Sequence, residues 1–122
     1  MEKLPRCLTA FAVVICVVGI VSHQSSAAEP LKCEVGPIYK MFGGSRWFLY
    51  SCADGRTLVV YSAPGSAAEP FYFMFVPVEA GYRLCGEGTG SKSATEAAMK
   101  ELRALSSKEI AALIAETKAA KN

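Results

Sequence analysis

Cysteine is the residue type with the clearest chemistry to offer in this 122-residue chain. Two of the five cysteines lie within the first 28 residues, and Cys33, Cys52 and Cys85 follow them. The sequence has no Cys-x-x-Cys motif, so we expect structural disulfides rather than thiol–disulfide catalysis. These last three cysteines can form only one disulfide among themselves, so one of them stays unpaired. We expect Cys33 to pair with Cys52, with a Cys52–Cys85 bond as the alternative; in the first case Cys85 is a buried thiol or the link of a covalent dimer.

Acid–base and metal chemistry have few candidate residues. The only histidine is His23, and the only aspartate is Asp54, which precedes a glycine and suits a turn. These residues cannot supply a nucleophile–base pair, and the glutamates lack the spacing of metal ligands. The sequence therefore predicts a non-enzyme with no metal and no cofactor.

Residues 1–28 have the features of a secretory signal peptide. Lys3 and Arg6 precede an apolar run over residues 7–21, and small residues end the segment. The competing interpretation is a membrane anchor, but the run is shorter than the ~20 residues of a spanning helix. We expect cleavage at the end of this segment. A single domain over residues 29–122 then remains, periplasmic or secreted, with no stable membrane anchor.

Charge narrows the class of partner. Residues 1–28 hold two of the 13 basic and one of the 11 acidic residues, so the remaining domain has 11 basic and 10 acidic side chains and a net charge of +1. A near-neutral domain lacks the electrostatic footprint of a nucleic-acid binder or an acidic-membrane binder. We therefore expect a protein or a small ligand as the partner, and not nucleic acid. The sequence leaves the oligomeric state open.

Turn signals divide the middle of the chain into five short apolar segments. Gly43-Gly44 and Asp54-Gly55 suit tight hairpins, a loop with two prolines spans residues 64–70, and Glu79-Ala80-Gly81 marks a further turn. The pattern predicts an antiparallel β-meander of four to five strands. The first strand is the weakest, because Gly36-Pro37 interrupts it.

Two alanine-rich helices are predicted at the end of the chain. The segments 93–96 and 106–109 each match a capping box, in which a serine accepts from a first-turn amide and a glutamate reaches back. Strands followed by helices predict an α+β fold, with both helices packed on one face of the sheet. Residues at helical spacing form the predicted inner sides: Ala94, Ala98, Leu102 and Leu105 in the first helix, and Ile110, Leu113, Ile114 and Thr117 in the second.

Strand alternation assigns side chains to two faces, and both are apolar. One face is predicted to hold Ile38, Trp47, Leu49, Leu58 and Val60, and the other Val35, Tyr39, Met41, Phe48, Tyr50, Val59 and Tyr61. Either both faces are covered within the chain, or one face meets a partner. Core packing is the commoner role of aromatic stripes, whereas tyrosine hydroxyls suit a wet boundary. The candidate contact residues are Tyr39, Trp47, Phe48, Tyr50 and Tyr61.

A glycine-rich stretch, "GEGTGSKSATEAAMKEL", links the last strand to the first helix. With the strands before it, residues 58–105 resemble the C-terminal part of a double-stranded-RNA-binding domain, through Gly86, Gly88, Gly90, Ser91, Lys92, Ala94, Ala97 and Ala98. The family's first helix is absent, and Ala67-Ala68 stand where its histidine is expected. The resemblance implies a strand-to-helix turn, and an anion or nucleic-acid site at Gly88, Gly90, Ser91 and Lys92 is the alternative function.

A second resemblance lies in residues 49–63, "LYSCADGRTLVVYSA". Tyr50, Cys52, Gly55, Leu58 and Val60 are similar to the strand–turn–strand of periplasmic inhibitors of C-type lysozymes, which implies a lysozyme-inhibitor-like function. The family's later Ser-Gly-x-x-Tyr segment and C-terminal cysteine are absent.

Our main hypothesis from the sequence is an exported, non-catalytic binding module of the bacterial envelope.

Overall fold

The computed structural model describes Leu4, Pro5, Cys7 and residues 30–121. Five strands form one antiparallel sheet in chain order, and two helices follow. This confirms the predicted α+β meander with two C-terminal helices. The elements are β1 (Val35–Phe42), β2 (Ser45–Ser51), β3 (Leu58–Ser62), β4 (Phe71–Val78), β5 (Gly81–Gly88), α1 (Lys92–Arg103) and α2 (Ser107–Lys121).

The β1–β2 turn is a two-residue hairpin and also a contact with α1. Gly43 and Gly44 have φ of 61° and 81°, a conformation that glycine adopts without a steric cost. A Cβ on Gly43 would lie 2.4 Å from the backbone nitrogen of Ala98, whereas a Cβ on Gly44 would have no neighbour within 4 Å. The hairpin therefore sits directly against the backbone of α1, and only a glycine fits at position 43.

The β2–β3 connection is longer than a two-residue turn, yet it keeps the predicted register. The last ladder pair is Ser51 with Leu58, so six residues form the loop. Below that pair, the backbone N–H of Cys52 donates to the carbonyl of Thr57 at 3.0 Å. A six-residue loop and a two-residue loop both contain an even number of residues. Each side chain of β3 therefore faces the same side of the sheet as it would after a two-residue turn.

The start of β1 departs from simple alternation. The register shifts between Val35 and Ile38, around the Gly36-Pro37 step that was expected to interrupt the strand. Val35 consequently pairs with Ser51, whose side chain faces the helices, and not with the outward-facing set that contains Tyr39. Our assignment of Val35 to the outer face was wrong because a bulge changes the parity of the residues before it.

One face of the sheet is covered by both helices and holds the core. Trp47 is fully buried there, and its indole N–H donates to the carbonyl of Phe42 at 3.1 Å. The inner sides of both helices are largely as predicted, with Thr95 also buried and Ala94 and Leu105 only partly so. The buried core comprises Phe42, Trp47, Leu49, Leu58, Val60, Ala68, Phe73, Phe75, Ala98, Leu102, Ile110, Leu113 and Ile114.

Polar contacts attach α2 to the first two strands. The Thr117 hydroxyl donates to the carbonyl of Ile114 at 2.6 Å, so the Ser51 hydroxyl is the donor in the 2.7 Å contact between them. Both side chains are fully buried, and this contact gives each hydroxyl a hydrogen-bond partner. At the surface, Lys40 forms a 3.0 Å ion pair with Glu116.

The two helix N-termini are capped differently from one another. At α2 the predicted capping box is present: the Ser106 hydroxyl accepts from the N–H of Glu109 at 3.0 Å, and the Glu109 carboxylate accepts from the N–H of Ser106 at 2.8 Å. At α1 the prediction was wrong. The helix begins at Lys92, with Ser91 as its N-cap, so Ser93 lies in the first turn.

A short N-terminal piece lies along the free edge of β5. The backbone N–H of Gly86 donates to the carbonyl of Pro5 at 3.1 Å, and Leu4 packs against the core. Cys7 is bonded to Cys85. The predicted leader otherwise falls on residues outside those described, and within the described part no helix is long and apolar enough to cross a membrane.

Candidate interaction surface

The face of the sheet opposite the helices carries a row of aromatic side chains, one on each of four neighbouring strands. Tyr39 lies opposite Phe48, Phe48 opposite Tyr61, and Tyr61 opposite Tyr72. Residues directly opposite in a sheet share a face, so these four side chains form one line across the strands. We call Tyr39, Phe48, Tyr61 and Tyr72 the aromatic row. Glu87, opposite Tyr72 on β5, ends it.

Ring contacts hold the row in place. Tyr39 and Phe48 meet edge to face with centroids 4.7 Å apart, and Tyr61 and Tyr72 are 6.2 Å apart. Tyr50 lies on the same face, two residues after Phe48 in β2, and its ring meets that of Tyr61 edge to face with centroids 5.8 Å apart. Such pairs stabilise each other by ~0.5–1.5 kcal/mol beyond area burial. These contacts give the rings a defined arrangement on the sheet.

Much of this surface is open to solvent. Tyr39 and Met41 are 59% and 60% exposed, and Tyr61 is 40% exposed. Phe48 and Tyr50 are half-buried by their neighbours. Four of the five predicted contact residues thus lie together on one face. The fifth, Trp47, does not: it points into the core on the opposite face, so including it in the contact set was wrong.

A groove of about 380 Å³ opens at the β4 end of the aromatic row. Burial, the charge of Glu87 and a 3.4 Å hydrogen bond from the Tyr72 hydroxyl to the Glu87 carboxylate all raise the pKa of Tyr72. The phenol therefore remains a donor throughout the physiological range. The groove is lined by Tyr61, Ser62, Glu69, Pro70, Phe71, Tyr72, Glu87 and Gly88.

Three backbone donors of the glycine-rich turn before α1 are already occupied. The N–H groups of Thr89 and Gly90 both donate to the carbonyl of Pro70, at 2.9 and 3.0 Å, and that of Ser91 donates to Ala67 at 3.0 Å. A Cβ on Gly90 would lie 1.9 Å from the carbonyl oxygen of Ala68. The glycines therefore allow two backbone segments to touch. These amides face the 63–70 loop, so they do not form an anion cradle.

The remaining residues of the predicted anion site have local roles. The Ser91 hydroxyl caps α1 by accepting from the N–H of Ala94 at 3.4 Å, and Gly88 has a φ of 146° beside Pro70 and Phe71. Lys92 is exposed in the first turn of the helix. A lone exposed lysine does not replace the missing amide donors.

The carboxylate of Asp54 stabilises the β2–β3 loop. It accepts from the backbone N–H groups of Arg56 and Thr57, both at 2.9 Å, and from the Thr57 hydroxyl at 2.7 Å. Desolvation opposes ionisation, but these hydrogen bonds outweigh it and the pKa of Asp54 lies below 3.8. Over the described ranges, no group of three or more His, Cys, Asp or Glu side chains could hold a metal ion.

Two disulfides are present among the described residues. Cys33 is bonded to Cys52, across the bulged start of β1, and Cys7 is bonded to Cys85. Cys85 is buried, as expected, but in this structure it is not a free thiol. Two disulfides are consistent with an extracellular or otherwise oxidising compartment. Our sequence reasoning assigned Cys7 to the leader and so did not consider it as a partner.

Sequence reasoning also missed the contribution of Tyr72 and Glu87 to the exposed face. The signal was present: once the β3–β4 register is known, alternation places Tyr72 beside Tyr61, and the next pairing places Glu87 beside Tyr72. The register depended on an eight-residue loop whose internal hydrogen bonds the sequence pattern does not give. Comparison with protein-family models, with curated proteins and with solved structures finds no match for this chain.

Proposed function

We propose that this protein is an exported, non-catalytic module that binds another protein through the aromatic row. The observation that carries the proposal is the row itself: four aromatic side chains in register across four strands, on the face that neither helix covers. A solvated sheet face normally carries polar residues in alternation with the core. Here that face is aromatic.

The composition of the face supports a protein partner. Tyrosine, phenylalanine, methionine and arginine are enriched in protein–protein interfaces, whereas lysine, glutamate and aspartate are depleted. The outward positions of β1 and β2 are Tyr39, Met41, Arg46, Phe48 and Tyr50. None of them is lysine or acidic.

The rigidity of the face supports binding as well. The strands are hydrogen-bonded on both sides from β2 to β4, and the rings contact each other before binding. Ordering side chains at an interface costs ~0.5–1.5 kcal/mol for each one immobilised. A prearranged row avoids much of that cost.

Export to the periplasm or the outside of the cell is part of the proposal. Lys3, Arg6 and the apolar run that follows support a cleaved leader, and the Cys33–Cys52 disulfide supports an oxidising destination. The non-catalytic assignment is supported by Asp54, since its carboxylate oxygens are engaged within the loop.

The test is binding of the exported protein to proteins extracted from the cell envelope. Tyr39→Ser and Tyr61→Ser should each weaken capture of the specific partner at least about tenfold, because aromatic anchors dominate interface energies. Val78→Ser is the matched control: Val78 is 45% exposed at the far end of β4, away from the row. Thermal unfolding should show that all three variants remain folded. Equal capture by the tyrosine variants and the control would contradict the proposal.

A C-type lysozyme is the first individual partner to test. The resemblance of residues 49–63 to lysozyme inhibitors includes Tyr50, which lies on the proposed binding face, and Cys52, which forms a disulfide. If this second candidate is correct, the exported protein inhibits lysozyme activity and Tyr50→Ser abolishes the inhibition. Full lysozyme activity at a large excess of the protein would exclude it and leave the search for other partners open.

A further inference from the structure

The free edge of β5 is occupied by residues from the N-terminus. Pro5 supplies a carbonyl to the N–H of Gly86, and Cys7 is bonded to Cys85 with their Cα atoms 5.2 Å apart. Leu4 covers the inner side of the strand: its Cδ2 atom lies 2.7 Å from where a Cβ on Gly86 would stand. The edge therefore binds a backbone carbonyl, an apolar side chain and a cysteine at the same time.

Removal of residues 1–28 would take away all three groups. What remains on β5 is an outward N–H at Gly86, an apolar cleft beside Phe71 and Phe73, and a thiol at Cys85. An open strand edge is a template for another strand. We propose that, in the processed protein, a second copy of this chain occupies the edge, with β5 paired antiparallel to β5 and Cys85 bonded to Cys85 of the second copy. This inference rests on the removal of the leader that is part of the proposed export.

Backbone geometry permits this pairing. The outward N–H of Gly86 means that Gly86 and Leu84 direct their backbone groups towards the edge, and Cys85 directs its own towards β4. In a new antiparallel pair centred on Cys85, the two cysteines therefore form a non-hydrogen-bonded pair, the position where opposite side chains are closest. Leu84 then lies opposite Gly86 of the second copy, and these residues exchange backbone hydrogen bonds.

The second copy replaces each group that the leader supplied. The Leu84 carbonyl of the second copy takes the place of the Pro5 carbonyl, and its side chain takes the place of Leu4 over Gly86. Cys85 of the second copy takes the place of Cys7. Gly86 suits this contact because Phe71 and Phe73 already lie within about 3 Å of where its Cβ would be, so the strand carries no side chain of its own there.

Charge also favours a second copy over an unrelated peptide. The symmetric pairing places Arg83 opposite Glu87 of the second copy, and Glu87 opposite Arg83 of the second copy. Both side chains lie on the same face as Cys85. Opposite charges directly across a strand pair are stabilising, and like charges are destabilising. The edge is thus complementary to itself in backbone, apolar and charged groups.

The covalent step needs an oxidant, for which we name a small-molecule disulfide such as oxidised glutathione. The Cys85 thiolate attacks one sulfur of that disulfide, which forms a mixed disulfide and releases one glutathione thiolate. The Cys85 thiolate of the second copy then attacks the Cys85 sulfur of the mixed disulfide and displaces the second glutathione. The two cysteine thiols are oxidised, the disulfide is reduced, and the two protons end on two glutathione thiols.

The first experiment uses protein exported from cells that express the full chain, with thiols blocked by N-ethylmaleimide at lysis. Intact mass without reduction should give twice the mass of a chain that lacks the leader. Trypsin cleaves after Arg83 and Lys92, so peptide mapping should find residues 84–92 joined to themselves through Cys85. A processed monomer with maleimide on Cys85 would overturn the inference, and so would a retained leader bonded through Cys7. These outcomes leave the aromatic-row test unaffected, because that test reads partner capture.

The second experiment tests the register. In a glutathione buffer, Arg83→Glu and Glu87→Arg should each lower the dimer-to-monomer ratio about tenfold, since each creates two like-charge pairs. The double variant R83E/E87R should restore the ratio by re-forming both pairs in the opposite sense. Glu101→Arg on the exposed side of α1 is the matched control for Glu87→Arg, with the same charge change away from the edge. Equal ratios for all variants would show an unspecific cysteine contact and overturn the strand pairing.

Discussion

Replacing Gly43 by alanine measures how tightly the β1–β2 hairpin is seated on α1. An alanine at a left-handed φ of 61° costs about 1–2 kcal/mol. Its Cβ would also lie 2.4 Å from the nitrogen of Ala98 and 2.5 Å from the carbonyl carbon of Ala97, which are backbone atoms that cannot rotate away. Overpacking of this kind costs about 1–3 kcal/mol, so we expect a total loss of about 2–5 kcal/mol.

Gly44→Ala is the control, because Gly44 also has a positive φ but its Cβ would enter open space. That variant should lose only the conformational part, about 1–2 kcal/mol. Trp47 is the only tryptophan and is fully buried, so its fluorescence reports global unfolding in urea. With an m value of about 1.5 kcal/mol/M, a difference of about 2 kcal/mol separates the two midpoints by more than about 1 M. Coincident midpoints would refute the close contact between hairpin and helix.

Three further predictions concern polar contacts within the fold. Thr117→Val should cost about 1–3 kcal/mol because it leaves the buried Ser51 hydroxyl without its acceptor, and the double variant with Ser51→Ala should recover much of the loss; a fully additive double variant would contradict the pairing. Because the pKa of Asp54 is lowered by folding, its stabilisation is present above pH 4 and is lost as the pH falls through the folded value. Asp54→Ala should therefore flatten the melting temperature profile below pH 4, and an unchanged acid slope would contradict this. Glu109→Ala should lower stability by about 1 kcal/mol through loss of the α2 capping box, whereas Glu96→Ala should change it by less than about 0.5 kcal/mol; equal effects in urea unfolding would count against the assigned caps.

The sheet could be predicted because local residue types indicate where its turns lie. Gly43-Gly44 fixes a hairpin, and the loop around Asp54 has an even number of residues, so it does not change which side chains face which side. The sequence therefore predicted the faces of β1 to β3 with one exception. That exception, Val35, depended on where the bulge at Gly36-Pro37 inserted its extra residue. A sequence shows that a strand is interrupted, but not on which side the register changes.

The start of α1 shows a different limit. Ser91 and Ser93 are both good N-cap residues, and Glu96 favours Ser93 on local grounds. The structure selects Ser91 because its N–H is held by the carbonyl of Ala67, across the chain from the helix. A tertiary contact therefore decided between two nearly equal local choices, and it also occupies the Ser91 amide of the predicted anion site.

The position of α2 has a consequence for the order of folding. The five strands pair with their neighbours in sequence, so the sheet can assemble as the chain emerges. Its first two strands, however, receive their cover from α2, through pairs such as Ser51 with Thr117, which are 66 residues apart. Trp47 and Leu49 therefore stay without their helical cover until the C-terminal residues are available. The core of such a chain is completed only after its last helix has been made.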